Sequence, residues 1–221
     1  MTNKYGLRNL PYGVSYIYNK LFKSKNFTFN KKTYEYFYHK YNHTWLNERI
    51  VELPIIIRFI KSNRGKNILE VGNVLSHYMS FNHDIVDKYE KGKNVINKDI
   101  LDFDNEKKYD LIVSVSTMEH IGYDENLKYP ERLITAFRKL RSMLSKNGII
   151  VVTLPVGYNE YMDGWIKNKR IEFDKLYYMK RTLTSDIWVQ TNYKGVSTSK
   201  YNHPFKTATG IMIGIIEGNK K

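Results

Sequence analysis

The stretch Ser114–His120 (SVSTMEH) brings three hydroxyls, a carboxylate and an imidazole to one point of the chain. A free imidazole ionises near pH 6.5, so His120 is suited to take a proton from an alcohol or an amide at neutral pH. Glu119 beside it can orient the ring or replace it. Three further places carry side chains of the same interest. Glu70-Val71-Gly72-Asn73 sets a glycine directly after an apolar run, where a ligand can approach the backbone closely. Asp87 ends a second apolar run with a carboxylate able to accept both hydroxyls of a ribose. Asp99-Ile100 puts a polar residue beside an apolar one, a pair suited to the amino edge and the face of an adenine.

These residues need elements to hold them, and the pattern from residue 67 onward alternates strand and helix. Asn67–Val71, His83–Asp87, Asn94–Ile96, Tyr109–Val115 and Ile149–Leu154 read as buried strands. Pro130–Leu144 reads as a helix, with proline in its first turn and Leu133, Phe137, Leu140 and Leu144 on one face. Ile187–Gln190 and Gly210–Ile216 complete a set of seven strands, and with no helix-length segment between them they are expected to pair antiparallel. Strands joined by crossovers predict a mostly parallel sheet covered on both faces, with ligands beyond the carboxyl ends of the strands. Upstream, residues 1–45 are aromatic, basic and irregular, and Trp45–Ile60 reads as a helix kinked at Pro54.

The series ILEVG, HDIVD, NKDI, YDLIVSVSTMEHI and LSKNGIIVVTLP, in that order over residues 67–155, resembles the class I S-adenosylmethionine-dependent methyltransferases. The 187–217 region is similar to that family's terminal strand pair. The segment YFYHKYNHTWLNER also resembles stretches of small methyltransferase-like proteins associated with surface-polysaccharide gene sets. The resemblance implies a Rossmann-like α/β sandwich, a mostly parallel seven-stranded sheet with an antiparallel terminal strand, and S-adenosylmethionine as cofactor. Carried over by position, it implies that Gly72 and Asn73 line the methionine part, with Glu70 behind the ammonium group. Asp87 would hold the ribose, Asp99 and Ile100 the adenine, and Ser116 the region near the methionine carboxylate. Two departures stand out. The loop continues as Gly72-Asn73-Val74-Leu75-Ser76 with no further glycine, and the connection from Gly72 to His83 is near the minimum for a parallel crossover. The first helix is therefore expected to shrink to a turn.

Composition sets the remaining bounds. The chain has 221 residues and no cysteine, which excludes disulfides and thiolate zinc sites. No apolar run reaches the roughly 18 residues of a membrane span, and the N-terminus lacks a secretory pattern, so a cytoplasmic protein is expected. The net charge is +14. Met1–Lys66 holds 13 basic and 3 acidic residues, a balance of +10, leaving +4 for the rest. Two domains follow: residues 1–45 as a basic, aromatic extension or lid, and residues 46–221 as the methyltransferase-like domain. His39, Asn42, His43, Trp45 and Arg49, with Tyr158, Asn159 and Tyr161, are candidates to cover the acceptor. His39 and His43 lack a third ligand, so no metal is expected. The expected activity is methylation of a small-molecule or glycan acceptor, one attracted by the basic segment being anionic. The alternatives are a catalytically silent binding protein and a nucleic-acid methyltransferase; few arginines argue against the latter. A nicotinamide enzyme is disfavoured because the spaced glycines that seat a pyrophosphate are missing.

Overall fold

The computed structural model describes residues 11–23, 25–182 and 187–218. The chain enters through α1 (Tyr12–Phe22) and a hairpin of β1 (Asn26–Phe29) and β2 (Lys32–Glu35). The described part of 1–45 is thus regular where the sequence reading had it irregular. Asn30 and Lys31 form the turn with φ of 46° and 60°, the double left-handed geometry that a two-residue hairpin loop requires. Phe27, Phe29, Tyr34 and Tyr36 alternate inward and join Trp45 in the same buried cluster as the next helix. That helix, α2 (Arg49–Ser62), follows a 3-10 segment over Tyr41–Leu46 and so starts later than expected. Pro54 lies inside it. Proline has no N–H to offer the carbonyl of Ile50, and the Phe37 N–H takes its place at 3.0 Å. The hairpin's exit strand thereby replaces the missing helix bond.

The sheet carries β3 (Ile68–Val71), β4 (Asp84–Asp87), β5 (Val95–Asn97), β6 (Tyr109–Val115) and β7 (Leu144–Pro155), all mutually parallel. It is completed by β8 (Lys175–Arg181), β9 (Trp188–Thr191) and β10 (Gly210–Glu217), in the order β5-β4-β3-β6-β7-β10-β8-β9. The fold class is the expected Rossmann-like, mostly parallel α/β sandwich with an antiparallel terminal strand. Two details differ. Among the described residues this sheet has eight strands, and the segments 187–190 and 210–216 do not pair with each other, because β8 lies between them. The reason is burial. β10 (GIMIGIIE) is buried on both faces and needs a neighbour on each edge. β8 supplies one, with Met179 buried, Tyr177 packed into the core on one face and Tyr178 into the core on the other. β9, whose Val189 and Gln190 face solvent, takes the edge.

Leu111, Val113 and Val115 of β6 point to the cluster under α2 and the hairpin, while Ile112 points to the opposite one. That second face is covered by α3 (Arg132–Ser142) and α4 (Glu160–Lys167), which present Leu133, Phe137, Leu140, Met162 and Ile166. The short α5 (Tyr193–Val196) adds Val196. The crossover from β3 to β4 carries only a 3-10 turn at Leu75–His77, and the link from β4 to β5 carries no helix. The first helix is reduced to a turn, as the short spacing predicts.

Candidate functional site

Strand order reverses between β3 and β6, and a cavity of about 880 Å³ opens beyond the carboxyl ends of β3, β4, β5 and β6. This is where an open α/β sheet offers a binding crevice. Gly72, Asn73, Asp87, Asp99, Ile100, Ser116 and His120 all line it. Glu70 and Glu119 do not. Both are buried behind the wall.

Glu70 acts on the loop rather than on the cavity. Its Oε1 accepts the N–H groups of Val74 (2.9 Å) and Leu75 (2.8 Å), and Oε2 lies 2.8 Å from His83 Nε2. The carboxylate so caps the 3-10 turn that replaces a helix. Gly72 has φ of 89°, and a Cβ there would fall 2.2 Å from Thr117 Oγ1. Only glycine lets the two strand-end loops close on each other here. Asn73, in place of a further glycine, is held on three sides. Its N–H donates to Asp87 Oδ2 (2.8 Å), its Nδ2 to Glu90 Oε2 (2.7 Å), and its Oδ1 accepts from Ser76 Oγ. His77 also meets Glu90, at 3.0 Å, and stacks on Tyr41. The 39–46 segment thereby reaches the cavity rim through side chains.

Asp87 Oδ1 accepts the N–H groups of Tyr89 (2.8 Å) and Glu90 (2.7 Å). With Asn73 on Oδ2, three of roughly four acceptor positions are filled, and one on Oδ2 is left for a hydroxyl. Asp99 takes the Leu101 N–H at 3.0 Å and Arg132 at 2.6 Å, with Lys88 at 3.1 Å. Burial pushes its carboxyl up, but the Leu101 N–H and these cations outweigh that and hold it below the usual range. Beside it Ile100 is an apolar wall, 4% exposed. Ser116 has φ of 37°, strained for a residue with a Cβ, and its Oγ donates to Glu52 Oε1 at 2.6 Å. α2 reaches the cavity wall through this bond.

His120 stands on a 3-10 turn, Met118–His120, with its ring half exposed at the cavity edge. Nδ1 lies 2.5 Å from Asp124 Oδ2, and the Tyr158 hydroxyl donates to the same oxygen at 2.5 Å. With Nδ1–H held by Asp124, the neutral ring keeps Nε2 as its acceptor. The orienting carboxylate is thus Asp124, one helical turn on. Glu119 sits behind, its Oε1 3.7 Å from Nε2. Burial holds the Glu119 carboxyl well above the usual range, against its own backbone N–H and Arg49, and Glu52 and Glu48 add to the rise. Among the described residues its Oε2 has no hydrogen-bond partner.

Behind His120, therefore, three buried carboxyls share one guanidinium. Arg49 is paired to Glu52, and Glu48 accepts the Ala208 N–H at 3.1 Å. Burial, then Glu52, raises Glu48 against the pull of Arg49. Tyr201 faces the same charges. Of the cover candidates, Trp45 is buried and donates from Nε1 to Ser15 Oγ, and Asn159 caps α4 while its Nδ2 holds the Glu119 carbonyl. His39 meets Tyr78 edge-on, and Tyr161 is exposed. Glu48, Glu52, Asp124 and Tyr201 are site residues the sequence reading passed over. Glu52 had a signal, being a carboxylate inside the apolar helix run IVELPIII.

No family model matches the chain, and no curated protein matches it. Among solved structures, it is similar to the N-methyltransferase NodS from Bradyrhizobium japonicum in complex with S-adenosyl-L-homocysteine. Identity there is 12%, over 80% of this chain and 95% of that one, with a TM-score of 0.43. It is also similar to the plantazolicin methyltransferase BpumL (11%, 81% and 87%, 0.45) and to a putative rRNA-methylase from Clostridium thermocellum (13%, 77% and 97%, 0.45). These are likenesses of chain outline at low identity. What this chain binds has to come from its own residues.

Proposed function

We propose that the protein is an S-adenosylmethionine-dependent methyltransferase acting on a small-molecule or glycan acceptor. One observation carries the reading: a single cavity at the strand-order switch gathers Gly72, Asn73, Asp87, Asp99, Ile100 and Ser116 from four strand ends. Its volume falls within the range of small-molecule sites.

The residues fit the cofactor. Asp87 keeps one acceptor position for a ribose hydroxyl, and Asp99 beside Ile100 offers a carboxylate edge and an apolar face to an adenine. The backbone carbonyls at Gly72 and Asn73 and the Ser116 hydroxyl oxygen would accept from the ammonium of the amino-acid end, their N–H and O–H groups being given to Val86, Asp87 and Glu52. When bound, the sulfonium supplies an electrophilic methyl group, and the protein's share is to align an acceptor and exclude water from it. His120 would accept the acceptor's proton on Nε2, with Asp124 and Tyr158 fixing the ring. Glu119, whose carboxyl burial pushes well above the usual range, would back His120 from behind the cavity wall. The 39–49 segment connects to the cavity through Tyr41, stacked on the His77 that meets the lining residue Glu90, which is the support for its covering the acceptor.

The reading is tested by incubating the purified protein with methyl-labelled S-adenosylmethionine and fractionated cell extract. Label is expected in a fraction of small molecules or glycan that resists nuclease. Label in a nuclease-sensitive polymer would make nucleic acid the acceptor.

A further inference from the structure

α1 rests on the protein by its polar side and shows its apolar side to water. Ser15 and Asn19 are buried beneath it, where Asn19 Nδ2 donates to the Ser15 carbonyl (2.7 Å) and Ser15 Oγ accepts from Trp45. Tyr16 meets the Trp45 ring edge-on at 5.0 Å. On the opposite side Val14, Ile17, Leu21 and Phe22 are 52%, 57%, 62% and 73% exposed. At 3.6 residues per turn these four fall within an arc of about 140°. A helix covering a core turns that arc inward. Here it faces out.

The chain that carries the stripe is basic. Lys20 is exposed on the helix, Lys25 is exposed three residues past its end, and Lys31 and Lys32 are exposed further on at the hairpin. Between residues 11 and 66 the acidic residues are Glu35, Glu48 and Glu52, and the last two are buried. Glu35 is therefore the single carboxylate this segment shows to solvent among the described residues.

We infer that α1 is a peripheral anchor for an anionic membrane surface, its apolar stripe seated at the headgroup–acyl boundary and the lysines on lipid phosphates. Apolar residues on one arc with cations beside them are the pattern of an interfacial helix. The competing partners satisfy half of it. A nucleic acid would meet the lysines and leave four large apolar side chains in water. A second copy stacked on the stripe would cover the apolar side chains, but its own α1 carries no carboxylate to meet the lysines. No described helix is long and apolar enough to cross a membrane, so the contact is one of surface docking. This inference does not depend on the methyltransferase reading.

The test is flotation of the full-length protein with phosphatidylcholine vesicles, with and without about 30% phosphatidylserine. Two variants are compared, Ile17→Ser/Leu21→Ser/Phe22→Ser and Lys20→Glu/Lys25→Glu, each checked for an unchanged thermal melt. These side chains are exposed, so the fold is expected to survive both changes. The protein should float with the anionic vesicles, less so as salt rises, and each variant should weaken binding by at least about tenfold. Absence of flotation, or equal flotation of the apolar triple variant, overturns the anchor. So does a dimer in sedimentation that the triple variant abolishes, or RNA binding that only the lysine variant removes.

Discussion

Asp87→Ala is the substitution with the most structure behind it. The Asp87 carboxylate ties the loop after β3 to the loop after β4 by accepting three N–H groups, those of Asn73, Tyr89 and Glu90. Tyr89 and Glu90 are exposed, so water replaces the carboxylate there at little cost. The Asn73 N–H is buried and has no such recourse. One hydrogen bond to a charged group is worth about 1.5–3 kcal/mol, so the stability lost is of that order rather than three times it. For a domain of this size each kcal/mol moves the melting point by about 2–4 °C, which gives a fall of about 3–12 °C. The remaining acceptor position on Oδ2 is the one proposed for the ribose. Its loss should weaken S-adenosylhomocysteine binding by a further 1.5–3 kcal/mol or so, about ten- to 150-fold in Kd. Calorimetric titration beside a thermal melt separates the two effects. A lowered melting point with an unchanged Kd would show that the carboxylate only joins the loops and that the ribose lies elsewhere.

Arg49→Met should lower the melting point by about 6–20 °C, because it leaves Glu52, its fully buried ion-pair partner, without a counter-charge, a loss of about 3–5 kcal/mol. A melt within about 2 °C of the parent would mean that Glu52 does not need it. Glu119→Gln should keep the fold at neutral pH, because burial pushes the Glu119 carboxyl well above the usual range against its backbone N–H and Arg49; a melting point lowered by several degrees would contradict this. Asp163 gives a pH dependence. Burial raises its carboxyl to about 6, against the Gly157 N–H, with Glu160 adding to the rise. The folded protein then holds a proton that the unfolded chain has released, so this group's contribution to stability falls as pH climbs from about 4 to 6. The fall is at most about 3 kcal/mol, and it should disappear in Asp163→Asn when denaturation midpoints are measured across that range.

The parallel half of the sheet was legible because its strands are short apolar runs ended by glycine or aspartate. Tyr109–Val115 is the clearest, and its bounds agree with β6. β8 was not, since KLYYMKR has charges at both ends and four large residues in a row with no period of two. Its place between β9 and β10 is set by tertiary burial of Tyr177, Tyr178 and Met179, which sequence spacing does not encode. The hairpin did carry a local signal, Phe27 and Phe29 alternating before Asn30-Lys31 and Tyr34 and Tyr36 after, but the density of tyrosine and lysine masked it. At the site, Gly72, Asn73, Asp87, Asp99, Ile100, Ser116 and His120, picked from strand ends, line one cavity, while Glu70 and Glu119 lie behind its wall. Strand ends could not predict that Asp87 and Asn73 hold each other, or that Glu52 arrives from α2 to meet Ser116, because those partners are 14 and 64 residues apart. His120 to Asp124 is different. Four residues apart on a turn, it was readable from spacing alone.

The most direct test of the account is calorimetric titration of the full-length protein with S-adenosylmethionine, S-adenosylhomocysteine and NAD in parallel. Two outcomes decide it. Saturable binding of both adenosyl ligands, reduced by Asp87→Ala and absent for NAD, is what the cavity at the ends of β3 to β6 predicts. Binding of NAD alone, or of none of the three by a protein that melts cooperatively, would contradict the assignment of this cavity to S-adenosylmethionine.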